Sequence, residues 1–230
     1  RATVPETPVV DPDDTGWRVG GEPAHLMAFE TEAAPVEQIR PRQRHEEVQE
    51  VIPADDAGGM VTDRGRSYEA QAFDRVAQQK CLAPSLRSLR DVMERKRGRA
   101  REFGAPLKSV RQDALALWPR HRDSPVADFK VEAEVRQPEL AYQLRNRRLK
   151  DRDHQRLLHE LGWHHDRGTV LRFWVDPRIE PTNHRAERAW RPAVIVRTVS
   201  HGSKHGAGAH AFAAFTSVVR PLAKPGVDSL

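Results

Sequence analysis

Apolar and polar positions in the first forty residues alternate in short blocks that are typical of β-strands. "TPVVDPD" (7–13) is an apolar run ended by proline and aspartate. "GWRVGG" (16–21) and "AHLMAFET" (24–31) meet at a Gly-Gly turn signal, and "APVEQIRP" (34–41) alternates apolar with polar residues. Tight connections between short strands predict an antiparallel meander of three strands.

The next forty residues alternate between helical and extended patterns. "RHEEVQEVI" (44–52) has helical spacing, and "GGMVTDRG" (58–65) indicates a buried strand that ends at Asp63. "SYEAQAFDRVAQQ" (67–79) predicts a helix with Ser67 as its N-cap, followed by a short strand at "KCLA" (80–83). The predicted order is therefore β-β-β-α-β-α-β.

The rest of the chain is mainly helical. Residues 85–174 are highly charged, and we expect the prolines at 106, 119, 125 and 138 to divide them into separate helices. A turn at Asp176-Pro177 precedes a helix that begins at Thr182 or Asn183, and a Gly-rich connection leads to a last helix. The predicted fold class is mixed α/β. Its predicted parts are 1–84 (core strands and first helices), 85–174 (helical insertion) and 175–230 (the rest of the core).

Composition excludes several classes of protein. No apolar run approaches the length of about 20 residues that crosses a bilayer, and "RATVPETPVV" (1–10) lacks the apolar region of a signal peptide. The single cysteine, Cys81, cannot form an internal disulfide or a cysteine-based zinc site. We therefore expect a cytoplasmic globular protein with no membrane partner.

The net charge of +5 is distributed unevenly. Residues 1–63 carry 5 basic and 14 acidic side chains, whereas residues 64–230 carry 33 basic and 19 acidic ones. This distribution suits a polyanionic partner such as DNA, but an ordinary solvated helical surface would give it as well.

The predicted order places acidic residues where metal-dependent nucleotidyl transfer needs them. A meander whose first strand ends in aspartate, a fourth strand ending in Asp63, and a later helix carrying a glutamate is similar to the RNase H-like arrangement. In that arrangement carboxylates from two strands and a helix share two divalent cations. Magnesium prefers such oxygen ligands and leaves positions open for phosphate and water.

Four motifs resemble those of bacterial DDE transposases of the insertion-sequence-66 type. "PTNHRAERAWRPAVIVRTVSHGSKHGAG" (181–208) is similar to the family's Asn-Asn-x-Ala-Glu-Arg-x-Leu-Arg-Pro signature and the Gly-Ser turn after it. "DDTGW" (13–17), "GMVTDRGRSY" (59–68) and "KCLAPSLRSL" (80–89) resemble three earlier segments of the family. The resemblance implies that Asp13, Asp63 and Glu187 are the catalytic and metal-binding acids.

That resemblance also implies a reaction and its partners. Two Mg²⁺ ions, which Mn²⁺ can replace, would support cleavage at transposon ends and transfer of the freed strand into target DNA. The protein would act at the nucleoid, and a homo-oligomer in the DNA complex is left open. Asp14 takes the place of a family glutamate and is expected to point away. Asp11 remains the alternative first ligand, because a two-residue shift keeps the same strand face.

Several other side chains are candidates with two interpretations each. The residues predicted to contact DNA phosphates, or else to solvate the surface, are Arg185, Arg188, Arg191 and Lys204, together with the basic run at 94–101. A zinc site at the histidines of "HELGWHH" (159–165) is disfavoured, since that segment offers no cysteine. Trp17 and Trp174 are expected in the core rather than as base-stacking platforms.

The chain also departs from the family pattern. Pro84 stands where the family has histidine, and proline can neither donate nor accept a proton. The chain starts at Arg1 and ends at "GVDSL" (226–230), so we expect a catalytic domain that is incomplete at both ends. The alternative to an active transposase is thus an inactive remnant that still binds DNA.

Overall fold

Eleven consecutive residues, Val9–Val19, form the central strand β1 in the computed structural model of the chain, which describes residues 8–52, 58–123, 127–145 and 149–222. The sequence blocks 7–13 and 16–21 therefore belong to one strand. Its pairing with the next strand runs without interruption from Asp11 to Val19. The other strands are β2 (Glu22–Glu30), β3 (Val36–Arg40), β4 (Gly59–Thr62) and β5 (Ala77–Lys80).

The sheet is mixed, with the order β3-β2-β1-β4-β5. β1 pairs antiparallel with β2, and β2 pairs antiparallel with β3, whereas β1 and β4 are parallel. The predicted antiparallel meander and the mixed α/β class are confirmed, and the structure adds that the fourth strand is parallel to β1.

Most of the described helices follow the last strand. In chain order the helices are α1 (His45–Gln49), α2 (Leu82–Arg95), α3 (Arg99–Asp123), α4 (Ala127–Arg145), α5 (Arg152–Asp166), α6 (His184–Ser200) and α7 (Gly206–Leu222). Two compact units result: one combines Arg1–Ala77 with Asn183–Leu230, and the other is Gln78–Thr182. The proposed division at residues 84 and 174 stays a prediction.

The first unit has an apolar layer on each face of the sheet. Trp17, Leu26 and Ala28 pack with Trp190 and Ala193 of α6. The opposite layer joins the strands to α1 and to the segment after β4 through Met27, Phe29, Val48, Tyr68 and Phe73. Alternation of side chains along β1 and β2 thus separates the chemistry of the two faces.

Helix α6 is attached along an open edge of β1. β4 pairs with β1 only at Val9 and Val10, which leaves later carbonyls of β1 in need of donors. Asn183 Nδ2 donates to the Pro12 carbonyl at 3.1 Å, Arg197 Nη1 to Gly16 at 2.6 Å, and the Ser203 N–H to Arg18 at 2.8 Å. These bonds fix the helix before its first turn, near its end and just beyond it.

The second unit has its own core and polar ties. Its buried side chains include Leu107, Leu140, Leu158, Leu161 and Trp174. The buried Gln79 side chain donates to the Val170 carbonyl at 2.9 Å and accepts from the Phe173 N–H at 3.2 Å. Lys96, from the basic run at 94–101, forms an ion pair with Asp151 at 2.7 Å.

The expectation that Trp17 and Trp174 are core residues is confirmed, since they are 3% and 2% exposed.

Two local predictions are wrong. Residues 67–79 form short 3-10 turns at Arg66–Tyr68 and Gln71–Phe73 and then β5, with Gly65 rather than Ser67 before the first turn. Burial of Tyr68 and Phe73, together with pairing in the sheet, outweighs a weak helical propensity.

Three prolines that were expected to end helices lie inside them. Pro106 and Pro119 are within α3, and Pro138 is within α4. A helix can continue past a proline if it loses a hydrogen bond and bends. Pro125 is outside the described residues. Among the helices that the structure describes, none is long and apolar enough to cross a membrane.

Candidate functional site

Asp13 and Asp63 come together because their strands are parallel neighbours. The register pairs Val9 with Gly59 and Val10 with Met60, an offset of 50 residues. The same offset separates Asp13 from Asp63, which directly follows β4. The charge of Asp63 is accordingly one cause of the raised pKa of Asp13. This part of the predicted acid set shares one end of the sheet.

Asp13 is a poorly solvated carboxyl group. Burial raises its pKa from 3.8 to about 7, and the charges of Asp63 and Asp14 act in the same direction. The Asp14 N–H, which donates to Asp13 Oδ1 at 2.9 Å, and the nearby Trp190 indole oppose this shift. The remaining negative charge lacks full compensation, so a bound cation would stabilise the ionised carboxylate.

Asp14 occupies the opposite face of β1, since successive side chains alternate. Gln43 donates to its Oδ1, and His25 Nδ1 lies 3.2 Å from its Oδ2. Burial raises the pKa of Asp14, whereas the His25 partner lowers it. Sequence reasoning missed His25 and Gln43 because their proximity depends on the β1–β2 register and on the turn after β3.

Asp63 is oriented by its own backbone. Its Oδ1 accepts the Gly65 N–H at 2.7 Å, and a Cβ on Gly65 would come within 2.8 Å of the same oxygen. Tyr68 is buried behind this turn, and burial together with the charges of Asp14, Asp63 and Asp13 raises the pKa of its hydroxyl well above 10. The turn after β4 thus holds Asp63 beside an un-ionised phenol.

Asp11 has a different environment from Asp13, although both lie on the same face of β1. It is fully buried, and its Oδ2 is 3.3 Å from Nε of Arg185 on α6. Arg185, predicted as a DNA contact, is therefore engaged with a carboxylate inside the fold. This pairing favours Asp13 over Asp11 as the acid that is accessible to a ligand.

The third acid of the predicted set is more exposed. Glu187 lies in the first turn of α6, and its Oε2 is 3.9 Å from His184 Nε2. Within the described ranges no group of three or more histidine, cysteine, aspartate or glutamate side chains is arranged to hold a metal ion. The structure brings Asp13 and Asp63 together but does not bring Glu187 into a three-carboxylate cluster. The other predicted DNA contacts, Arg188, Arg191 and Lys204, are exposed.

The residues present nevertheless suit a divalent cation. Two carboxylates on adjacent parallel strands, one of them with a pKa of about 7, are oxygen ligands whose mutual repulsion a cation would relieve. Glu187 is one helical turn before Trp190, which lies beside Asp13. Residues Asp13 and Asp63 would hold the ion, and Glu187 is placed on the neighbouring turn.

Comparison with known proteins gives three findings. A solved structure, "Structure of the HTLV-2 integrase catalytic core domain in complex with magnesium (trimeric form)", matches 41% of this chain and 74% of its own chain, with 13% identity and a TM-score of 0.28. No match was found among curated proteins. The family model described as "Transposase IS66 family" covers residues 1–211 of the 230. With the paired acids and the α6 signature in place, the chain belongs to the IS66 family of transposases.

Proposed function

We propose that the chain is the catalytic part of a DDE-type transposase that cleaves DNA phosphodiesters and transfers the freed strand. The observation that carries the proposal is the meeting of Asp13, within β1, and Asp63, directly after the parallel strand β4. Glu187, on the helix attached to the edge of β1, is the third acid of the proposed set. Family membership supports the DNA substrate.

Two Mg²⁺ ions would activate the attacking oxygen and stabilise the leaving oxygen of an in-line displacement. The chain's own residues position the two carboxylates. Asp63 accepts a hydrogen bond from the Gly65 N–H, and Asp13 accepts one from the Asp14 N–H, so each carboxylate is oriented by the backbone. Such preorganisation lowers the entropic cost of aligning a phosphodiester with its nucleophile.

The attachment of α6 to β1 supports the assignment of Glu187 as the third acid. The bonds from Asn183 and Arg197 to β1 hold α6 at both ends, and Trp190 packs on the sheet face that carries Asp13. Exposure of Glu187 leaves its carboxylate accessible to an ion or to DNA. Exposed Arg188, Arg191 and Lys204 on the same segment are the proposed phosphate contacts.

Nicking of supercoiled plasmid with Mg²⁺ or Mn²⁺ tests the proposal. We expect metal-dependent nicking that falls by at least about a hundredfold in Asp63→Ala, because removing a transition-state ligand costs several kcal/mol. Glu187→Gln should show a similar loss. Asp74→Ala and Glu139→Gln, which change exposed acids, are the matched controls. Nicking that persists in Asp63→Ala would refute the assignment.

An inactive remnant that binds DNA without cutting it is the second candidate. It is favoured by the separation of Glu187 from a three-acid cluster and by Pro84, which lies in the first turn of α2 where the family has histidine. This candidate predicts salt-sensitive DNA binding without metal-dependent nicking. Assembly into a homo-oligomer on DNA and action at the nucleoid remain part of both proposals.

A further inference from the structure

A cleft of about 590 Å³ lies beyond Asp13 along β1. It lies between the turn-proximal half of the β1–β2 hairpin and the end of α6. Its lining residues are Gly16, Trp17, Arg18, Pro23, Ala24, His25, Arg197, Thr198 and His201. These described lining residues include two arginines and two histidines but no carboxylate. The cleft is therefore suited to an anion.

Three of the lining residues, Gly16, Trp17 and Arg18, continue the strand that carries Asp13. Along β1, Gly16 is three residues and Arg18 five residues beyond Asp13. At a rise of about 3.4 Å per residue, the cleft extends about 10 to 17 Å from that acid.

One of its arginines is fixed in place. Arg197 Nη1 donates to the Gly16 carbonyl at 2.6 Å and to Thr15 Oγ1 at 2.8 Å. A guanidinium has five N–H donors, so this anchoring leaves donors for a ligand while restricting the side chain. An arginine that is already ordered loses little entropy when it binds a phosphate.

The other arginine is placed by the hairpin. Arg18 is exposed, and its Nη1 donates to the Gly21 carbonyl at 2.8 Å. Gly16, also exposed, presents backbone without a side chain, which permits close approach of a nucleic-acid strand. The cleft thus combines two oriented guanidinium groups with an accessible stretch of backbone.

We infer that this cleft holds the phosphodiester backbone of the DNA strand that is cut, about 10 to 17 Å from the scissile phosphate. Arg18 and Arg197 bind phosphate oxygens there, and they set the register of the strand without reading its sequence. The inference rests on the proposed function, because it names how that site holds its substrate.

Equilibrium binding of the whole chain to a 30-base-pair duplex, measured by fluorescence anisotropy across a salt series, tests the inference. Losing one phosphate contact reduces the slope of log K against log salt by about 0.9, which is about an eightfold loss of affinity at 0.1 M salt. We expect this change in Arg18→Gln. Arg90→Gln, which removes an exposed arginine of α2, is the control of equal charge and should change affinity less than twofold.

The outcomes separate the inference from the proposed function. If the wild-type chain binds and nicks DNA while Arg18→Gln and Arg90→Gln have the same salt slope, the inference alone fails. If the wild-type chain does not bind DNA even at low salt, the proposed function fails too. Thermal stabilisation by 10 mM inorganic phosphate that Arg18→Gln abolishes, with DNA binding unchanged, would overturn the inference in favour of a small-anion site. Arg197→Lys, which keeps the charge but not the paired bonds to β1, should reduce affinity and also lower the Tm, because those bonds hold the end of α6.

Discussion

Keeping the Asp13 carboxyl ionised lowers the stability of the folded chain. Burial and the neighbouring acids raise its pKa from 3.8 to about 7. Between these two values the folded chain binds a proton that the unfolded chain has released. The stability that depends on this proton is fully present below pH 3.8 and is lost as the pH rises through about 7.

Asp13→Asn should therefore stabilise the metal-free protein, and more so at high pH. A difference of about three pKa units corresponds to about 4 kcal/mol in the free energy of unfolding at pH 8, and to less than half of that at pH 5. Asparagine keeps an oxygen for the Asp14 N–H. Urea unfolding in EDTA at both pH values measures the effect, with the exposed Asp74→Asn as control. A gain that is the same at pH 5 and pH 8 would show that the ionisation of Asp13 is not its cause.

Single residues also show what could be predicted from sequence. Asp13 and Asp63 were identified from motifs, and the parallel register makes them neighbours. The partners of Asp14 and the pairing of Asp11 with Arg185 depend on which side chains face each other across strands and helices. No local pattern encodes that. Motif resemblance therefore pointed to two acids that the structure brings together, but not to the groups that orient them.

At the scale of elements, prediction succeeded where apolar periodicity was strong and failed where tertiary pairing decided. The meander and the strand before Asp63 follow from alternation and turn signals. The segment 67–79 has a helical pattern, yet sheet pairing at Ala77–Lys80 and burial of Phe73 determine its conformation. The prolines in α3 and α4 show the opposite case, in which a helix continues through residues that usually end one.

The attachment of α6 to β1 depends on a glycine just beyond the helix. Gly202 has φ +121, and a Cβ there would lie 2.3 Å from the Arg18 carbonyl oxygen, which accepts the Ser203 N–H. Gly202→Ala should lower the free energy of unfolding by at least about 2 kcal/mol and reduce plasmid nicking, because the end of α6 can no longer pair with β1.

Gly208→Ala is the matched control for this prediction. It is a helical glycine of α7 whose added Cβ would meet nothing within 4 Å, so alanine should raise stability by about 0.5 to 1 kcal/mol. Thermal unfolding of the two variants and the parent protein gives the comparison. If Gly202→Ala unfolds like the parent, the backbone pairing beyond α6 does not hold the helix.

At the scale of the whole molecule, the chain divides into two units that each bury their own apolar core. The proposed metal-binding acids all belong to the unit of Arg1–Ala77 and Asn183–Leu230. Leu158 belongs to the other unit, Gln78–Thr182, where it is buried in the core with 3% of its surface exposed. A ligand stabilises only the unit that binds it, and a core truncation destabilises the unit that contains it. Metal binding should therefore stabilise the first unit against unfolding, whereas a core truncation at Leu158 should destabilise the second unit.

Differential scanning calorimetry tests this division directly. We expect two transitions: Mg²⁺ should raise the Tm of one, and Asp13→Asn should weaken that response. Leu158→Ala should lower the other Tm, since a buried leucine truncated to alanine costs about 2 to 5 kcal/mol. The exposed Val199→Ala on α6 is the control for loss of apolar volume. A single transition that both Mg²⁺ and Leu158→Ala displace would mean that the two units unfold as one cooperative body.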